Sequence, residues 1–119
     1  MSEHGKINYA ELPAKDLDAT KLFFTKAFGW SFVDYGPEYT AFSGVGLDGG
    51  FFKSDQSSLT SNGAALLIFY SNDLESTFAK VQESGGKIVK PIFSFPGGNR
   101  FHFTEPSGNE LAVWSDVSA

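Results

Sequence analysis

A chain of 119 residues has the length of one domain, and its mixture of 41% hydrophobic and 19% charged residues can build a core and argues against disorder. The absence of cysteine excludes disulfide frameworks, thiolate metal sites and cysteine nucleophiles, and it fits a cytoplasmic location. A net charge of −5 without any basic block excludes nucleic-acid binding through phosphate neutralisation, and it would favour a cationic small ligand over an anionic one.

The segment Met1 to Lys6 is polar and lacks the apolar stretch of a signal peptide, and no apolar run approaches the roughly 18 residues of a membrane span. Residues Ile7 to Pro13 alternate as a strand, with Tyr9 and Glu11 on the same face. Asp16 is placed to cap a helix over Leu17–Phe28, whose wide apolar face carries Thr20, Phe23, Phe24 and Phe28, and Gly29 fits its left-handed end. Strands follow over Trp30–Tyr35, Tyr39–Val45 and Gly49–Lys53. The polar stretch Ser54 to Gly63 has the composition of a flexible linker. The pattern then restarts. A strand spans Ala64–Tyr70, Asp73 caps a helix over Leu74–Ser84, Gly85-Gly86 ends it, and short strands cover Lys87–Val89, Phe101–Thr104 and Glu110–Trp114. Phe93 to Arg100 reads as a loop around Pro96-Gly97-Gly98.

An offset of 57 lays Asp16-Leu17-Asp18-Ala19-Thr20 on Asp73-Leu74-Glu75-Ser76-Thr77, and Gly29 on Gly86. The sequence therefore predicts an α+β domain over 1–119 made of two tandem βαβββ modules, about 5–54 and 63–116 with a linker over 55–62, forming a curved mixed sheet around a cleft.

The segment Ile7-Asn8-Tyr9-Ala10-Glu11-Leu12-Pro13-Ala14-Lys15-Asp16-Leu17, the helix ends Phe28-Gly29-Trp30 and Ser84-Gly85-Gly86-Lys87, and the turn Glu105-Pro106-Ser107-Gly108-Asn109-Glu110-Leu111 resemble the glyoxalase, bleomycin-resistance and dioxygenase superfamily. Together these segments span nearly the whole chain, with Glu105 standing where the family's turn usually has Asp. Enzymes of that family hold a divalent metal on inward-facing His and Glu side chains, where it acts as a Lewis acid. The matching positions here are Tyr9, roughly Gly50, Leu66 and Ala112, and no set of ordinary ligands remains. The resemblance thus implies a member with no metal and no cofactor. Like the bleomycin-resistance branch, it would sequester an unknown small molecule in an aromatic cleft. It also implies a homodimer. Two other readings stay open: a metal-dependent lyase, isomerase or dioxygenase with ligands displaced to His102, Glu11 or Glu110, and a dimeric interaction module.

Strand parity and the family's inward positions together nominate Tyr9, Phe52, Leu66, Ile68 and Trp114, with Ala112, as the cleft floor; the same side chains are also suited to filling the cleft. His102 faces opposite to Phe101 and Phe103, either into the cleft or to solvent. Glu11 and Glu110 are strand carboxylates, either cleft groups or strand ends open to water. His4, the other histidine, lies in the polar tail. Gly44-Val45-Gly46-Leu47-Asp48-Gly49 matches a dinucleotide fingerprint, but no helix signal follows it, so it reads as a hairpin.

Overall fold

The computed structural model describes residues 2–117. Its elements run β1 (Tyr9–Ala14), α1 (Leu17–Phe28), β2 (Phe32–Asp34), β3 (Tyr39–Phe42), β4 (Asp48–Lys53), β5 (Leu67–Tyr70), α2 (Leu74–Glu83), β6 (Lys87–Phe95), β7 (Gly98–Thr104) and β8 (Glu110–Ser115), with a single 3-10 turn at Thr60–Asn62 between β4 and β5. The fold is the α+β duplication of βαβββ modules read from the repeat. Sheet 1 has the order β1-β4-β3-β2 and sheet 2 the order β5-β8-β7-β6, so each first strand pairs in parallel with the last strand of its own module. The two sheets are mixed and stay separate: β1 and β5 are both edge strands.

Local chemistry fixes both helices. The Asp16 and Asp73 carboxylates accept from the amides of Ala19 and Ser76, at 3.0 and 3.2 Å. Gly29 closes α1 at φ 72°, a conformation that favours a residue without Cβ. In the second module the left-handed residue is Gly85, not the Gly86 that the offset of 57 aligns with Gly29, because α2 ends two residues earlier in the repeat than α1.

Helix α1 is the centre of the core and touches both sheets. Phe24 stacks on Trp30 at 4.6 Å and lies 5.5 Å from Phe51 of sheet 1; Phe28 stacks on Phe69 at 4.1 Å and Phe23 lies 5.7 Å from Phe103, both in sheet 2. The turn after β7 is bolted to this helix. Glu105 accepts from the Thr20 hydroxyl at 2.6 Å, from the Ser107 and Asn109 amides, and from Asn109 Nδ2; that same Nδ2 donates to the Pro13 carbonyl. Burial raises the Glu105 carboxyl above its ordinary pKa, against the pull of those donors. The turn that carried the family resemblance is therefore the polar clasp between modules. The rings of α1 pack on the face of the sheets that carries Phe51, Phe69 and Phe103, and the opposite faces leave Tyr9, Phe52, Ile68 and Tyr70 exposed.

Two expectations need correction. The stretch between the modules is pinned rather than free: Ser57 and Ser58 bond to Ser107 and Asn109, and Thr60 bonds to Glu110. Strand β6 runs on through Pro91 to Phe95 and pairs with β7 across two register shifts, so Phe93 to Arg100 is not a loop. An edge strand tolerates proline because the missing N–H need not face a neighbour.

Candidate functional site

The proposed site residues divide between the open faces of the two sheets. On sheet 1, Tyr9 and Glu11 share the exposed face, as their alternation required, and the β1–β4 register sets Phe52 on it as well. Register places Gly50 opposite both Glu11 and Ala41, and a Cβ at Gly50 would collide with the ring of Tyr39. The absent side chain is what lets Tyr39 lie across the sheet. Its hydroxyl meets the Tyr9 hydroxyl at 2.6 Å and donates to Glu11 Oε2 at 2.9 Å. Burial, then the hydrogen bonds with Tyr9 and Glu11, push the Tyr39 phenol far above its ordinary range. Sequence reading missed Tyr39, since only the β3–β4 register aims it at Gly50.

On sheet 2, directly opposed residues form two rows across β6, β7, β8 and β5. One is Phe93, Arg100, Trp114 and Tyr70; the other is Lys90, His102, Ala112 and Ile68. Leu66 lies just before β5 and is half-buried. His102 and Glu110 are each 6% exposed, so neither is a solvent-facing strand residue. They pair through His102 Nδ1 and Glu110 Oε2 at 3.0 Å, and the other Glu110 oxygen accepts from the Thr60 amide at 3.0 Å and hydroxyl at 2.8 Å. Burial works to raise the Glu110 carboxyl, but the bonds from His102 and Thr60 outweigh it and hold the pKa below the ordinary value.

Arg100 completes the chain of contacts. Its Nε and Nη2 lie 3.2 and 3.0 Å from His102 Nε2. A guanidinium only donates, so Nε2 is the acceptor and the ring proton sits on Nδ1, facing Glu110. Arg100 also packs at 6.0 and 5.6 Å over the rings of Phe93 and Phe95, within cation–π range. Placing Arg100 in a loop hid it from sequence reading, although its parity with His102 was visible.

A cleft of about 470 Å³ opens elsewhere, at the seam between β1 and β5, where Ala10, Trp30, Phe42, Leu67, Phe69 and Leu111 contribute to its wall. Ile68 is the one proposed site residue on its wall. Most of these side chains belong to the helix-facing parity, and none of those was nominated from the sequence as a site residue.

Duplicated βαβββ modules with open sheet faces define the vicinal-oxygen-chelate class of fold. The model of the Glyoxalase/Bleomycin resistance protein/Dioxygenase superfamily matches residues 6–113, and the chain belongs to that family. A glyoxylase-like domain-containing protein of Didymella fabae is 30% identical over 128 residues, with 95% of each chain covered. Two solved structures share the fold: a family enzyme from Burkholderia phytofirmans PsJN (TM-score 0.79, 14% identity, 95% of this chain and 100% of that one) and a genomically encoded fosfomycin resistance protein from Listeria monocytogenes (TM-score 0.77, 16% identity, 95% and 94%).

The donors at the family's metal positions do not fit a metal. Gly50, Leu66 and Ala112 offer no side-chain ligand, and the Tyr9 phenol is engaged by Tyr39 lying over Gly50. The displaced set is not gathered either. His102 and Glu110 touch, whereas Glu11 belongs to the Tyr39 cluster of the other sheet, and the described residues hold no group of three or more His, Asp or Glu suited to a cation. No described helix is long and apolar enough to cross a membrane.

Proposed function

We propose that this protein binds a small organic molecule without a metal or cofactor, in the manner of a sequestering member of its family, and that the ligand lies on the open face of sheet 2. The observation that carries the reading is the row Phe93, Trp114 and Tyr70 at the surface beside the His102–Glu110 pair. Phe93 and Tyr70 stay 37% and 53% exposed, while the polar pair beneath is fixed. Exposed rings beside a few fixed polar groups are the usual makings of a small-molecule site. Tyr9, Glu11 and Phe52 present a second aromatic face on sheet 1. A homodimer that brings the two kinds of face together, in a cytoplasmic protein, belongs to the same reading.

The test is an amide NMR titration of metal-stripped protein with neutral aromatic probes, indole and benzamide. Saturable shifts at Phe93, His102 and Trp114, with the probe recovered unchanged and no effect of added divalent metal, are expected. Shifts confined to Val45, Leu47 and Phe69 would move the site to the seam cleft. No saturable shift with either probe would overturn the reading.

A further inference from the structure

We infer that the molecule held on sheet 2 carries an anionic group, a carboxylate, phosphate or phosphonate, and that Arg100 receives it. This deepens the binding function proposed above and rests on it.

The chain has a single arginine among its nine basic residues, and it stands at this position. Among the described residues Arg100 has no carboxylate within salt-bridge distance, whereas Lys21 pairs with both Asp18 and Asp34. The hydrogen bonds of its guanidinium go to His102 Nε2 alone, through Nε and one Nη2 hydrogen. Both hydrogens on Nη1 and the second on Nη2 have no protein acceptor among the described residues, and those are the hydrogens that grip a carboxylate or phosphate through two parallel bonds.

The fork is also held still. Glu110 orients His102, Thr60 orients Glu110, and Phe93 and Phe95 support the guanidinium. Contacts made in advance leave less side-chain freedom to be lost on binding. Trp114 lies directly across the ladder from Arg100, and Lys90 stands opposite His102 as a second cation on the same face. The carboxylates near this face are already engaged, Glu110 by His102 and Thr60 and Asp116 by the Tyr70 hydroxyl, so the unpaired hydrogens of Arg100 point to an anionic ligand despite the chain's net charge of −5. A ring on Trp114 or Phe93 with an anion on Arg100 satisfies both chemistries of the row.

The experiment is the same amide titration with benzoate, phenyl phosphate, phenylphosphonate, neutral benzamide and cationic benzamidine, on the native chain and on R100K and R100Q. The anionic probes are expected to bind at least about tenfold more tightly than benzamide, with benzamidine weakest. The preference should vanish in R100Q and fall in R100K, which keeps the charge but loses the fork. The ranking among the three anions separates carboxylate from phosphoryl ligands. Equal binding of anionic and neutral probes by the native chain would overturn this inference and leave small-molecule binding standing, while no binding of any aromatic probe would overturn both. An anion preference retained in R100Q, with native-like amide spectra, would overturn the assignment to Arg100.

Discussion

The two modules follow one chain path, yet their open faces hold polar groups in opposite ways. On sheet 1 the Tyr9–Tyr39–Glu11 cluster lies at the surface, made possible by a missing side chain at Gly50. On sheet 2 the His102–Glu110 pair is sunk beneath Phe93 and the Thr60 turn, with the half-buried Arg100 bonded to its outer edge. Duplication supplied the same scaffold twice. What differs is cover, and cover decides how strongly each cluster couples to stability. A buried carboxylate or ring N–H left without its hydrogen-bond partner is costly, whereas an exposed hydroxyl can turn to water.

The largest effect should come from the place where the comparison disappears. Phe24 serves both modules through α1, so F24A should lower unfolding free energy by about 3–5 kcal/mol. It should weaken both halves in one transition, measured by urea denaturation. Two separate transitions would show that the modules do not share a core.

Glu110 sharpens the contrast. In E110Q, His102 Nδ1 and Thr60 lose their charged acceptor, at a cost of about 1–3 kcal/mol near neutral pH. The sign of its pH dependence follows from linkage. The Glu110 pKa is lowered in the folded state, so its contribution is fully present above the ordinary value of 4.5 and is lost as pH falls through the folded value. The stability gap between native protein and E110Q should therefore narrow as pH drops below about 4.5. A gap that is constant through this range would show that the carboxylate is not held by those bonds.

These contrasts were unevenly legible in the sequence. Helix α1 could be read to the residue, because Asp16 and Gly29 act locally and the apolar stripe between them faces one core. Strand β6 could not, because Pro91 and Pro96-Gly97 look like breakers. They are tolerated since β6 is an edge strand and the turn occupies only Pro96 and Gly97. Parity grouped Tyr9 with Glu11 and set His102 opposite Phe101 and Phe103, since alternation is a property of the strand itself, while the choice of inward face for Tyr9, Phe52, Ile68, Ala112 and Trp114 also needed the family resemblance. It could not reveal what lies over them. The covering groups, Thr60 above Glu110, Phe93 beside His102 and Tyr39 across Gly50, depend on long-range register, and Thr60 sits in a stretch whose composition suggested a loose linker.

The smallest effect tests the exposed side of the comparison. Y39F removes the hydroxyl shared by Tyr9 and Glu11 but leaves the ring over Gly50, so stability should change by about 1 kcal/mol or less. Its signature is spectroscopic. Burial, with the bonds to Tyr9 and Glu11, keeps Tyr39 protonated well beyond the ordinary tyrosine range, and ultraviolet titration should lose its most alkaline step in Y39F. In E11Q the same step should remain but move to lower pH, because the carboxylate that accepts the Tyr39 proton no longer carries charge. A destabilisation in Y39F as large as that of E110Q would erase the distinction between the two faces. It would mean that the sheet 1 cluster is as dependent on its partners as the covered one, and that exposure does not set the cost.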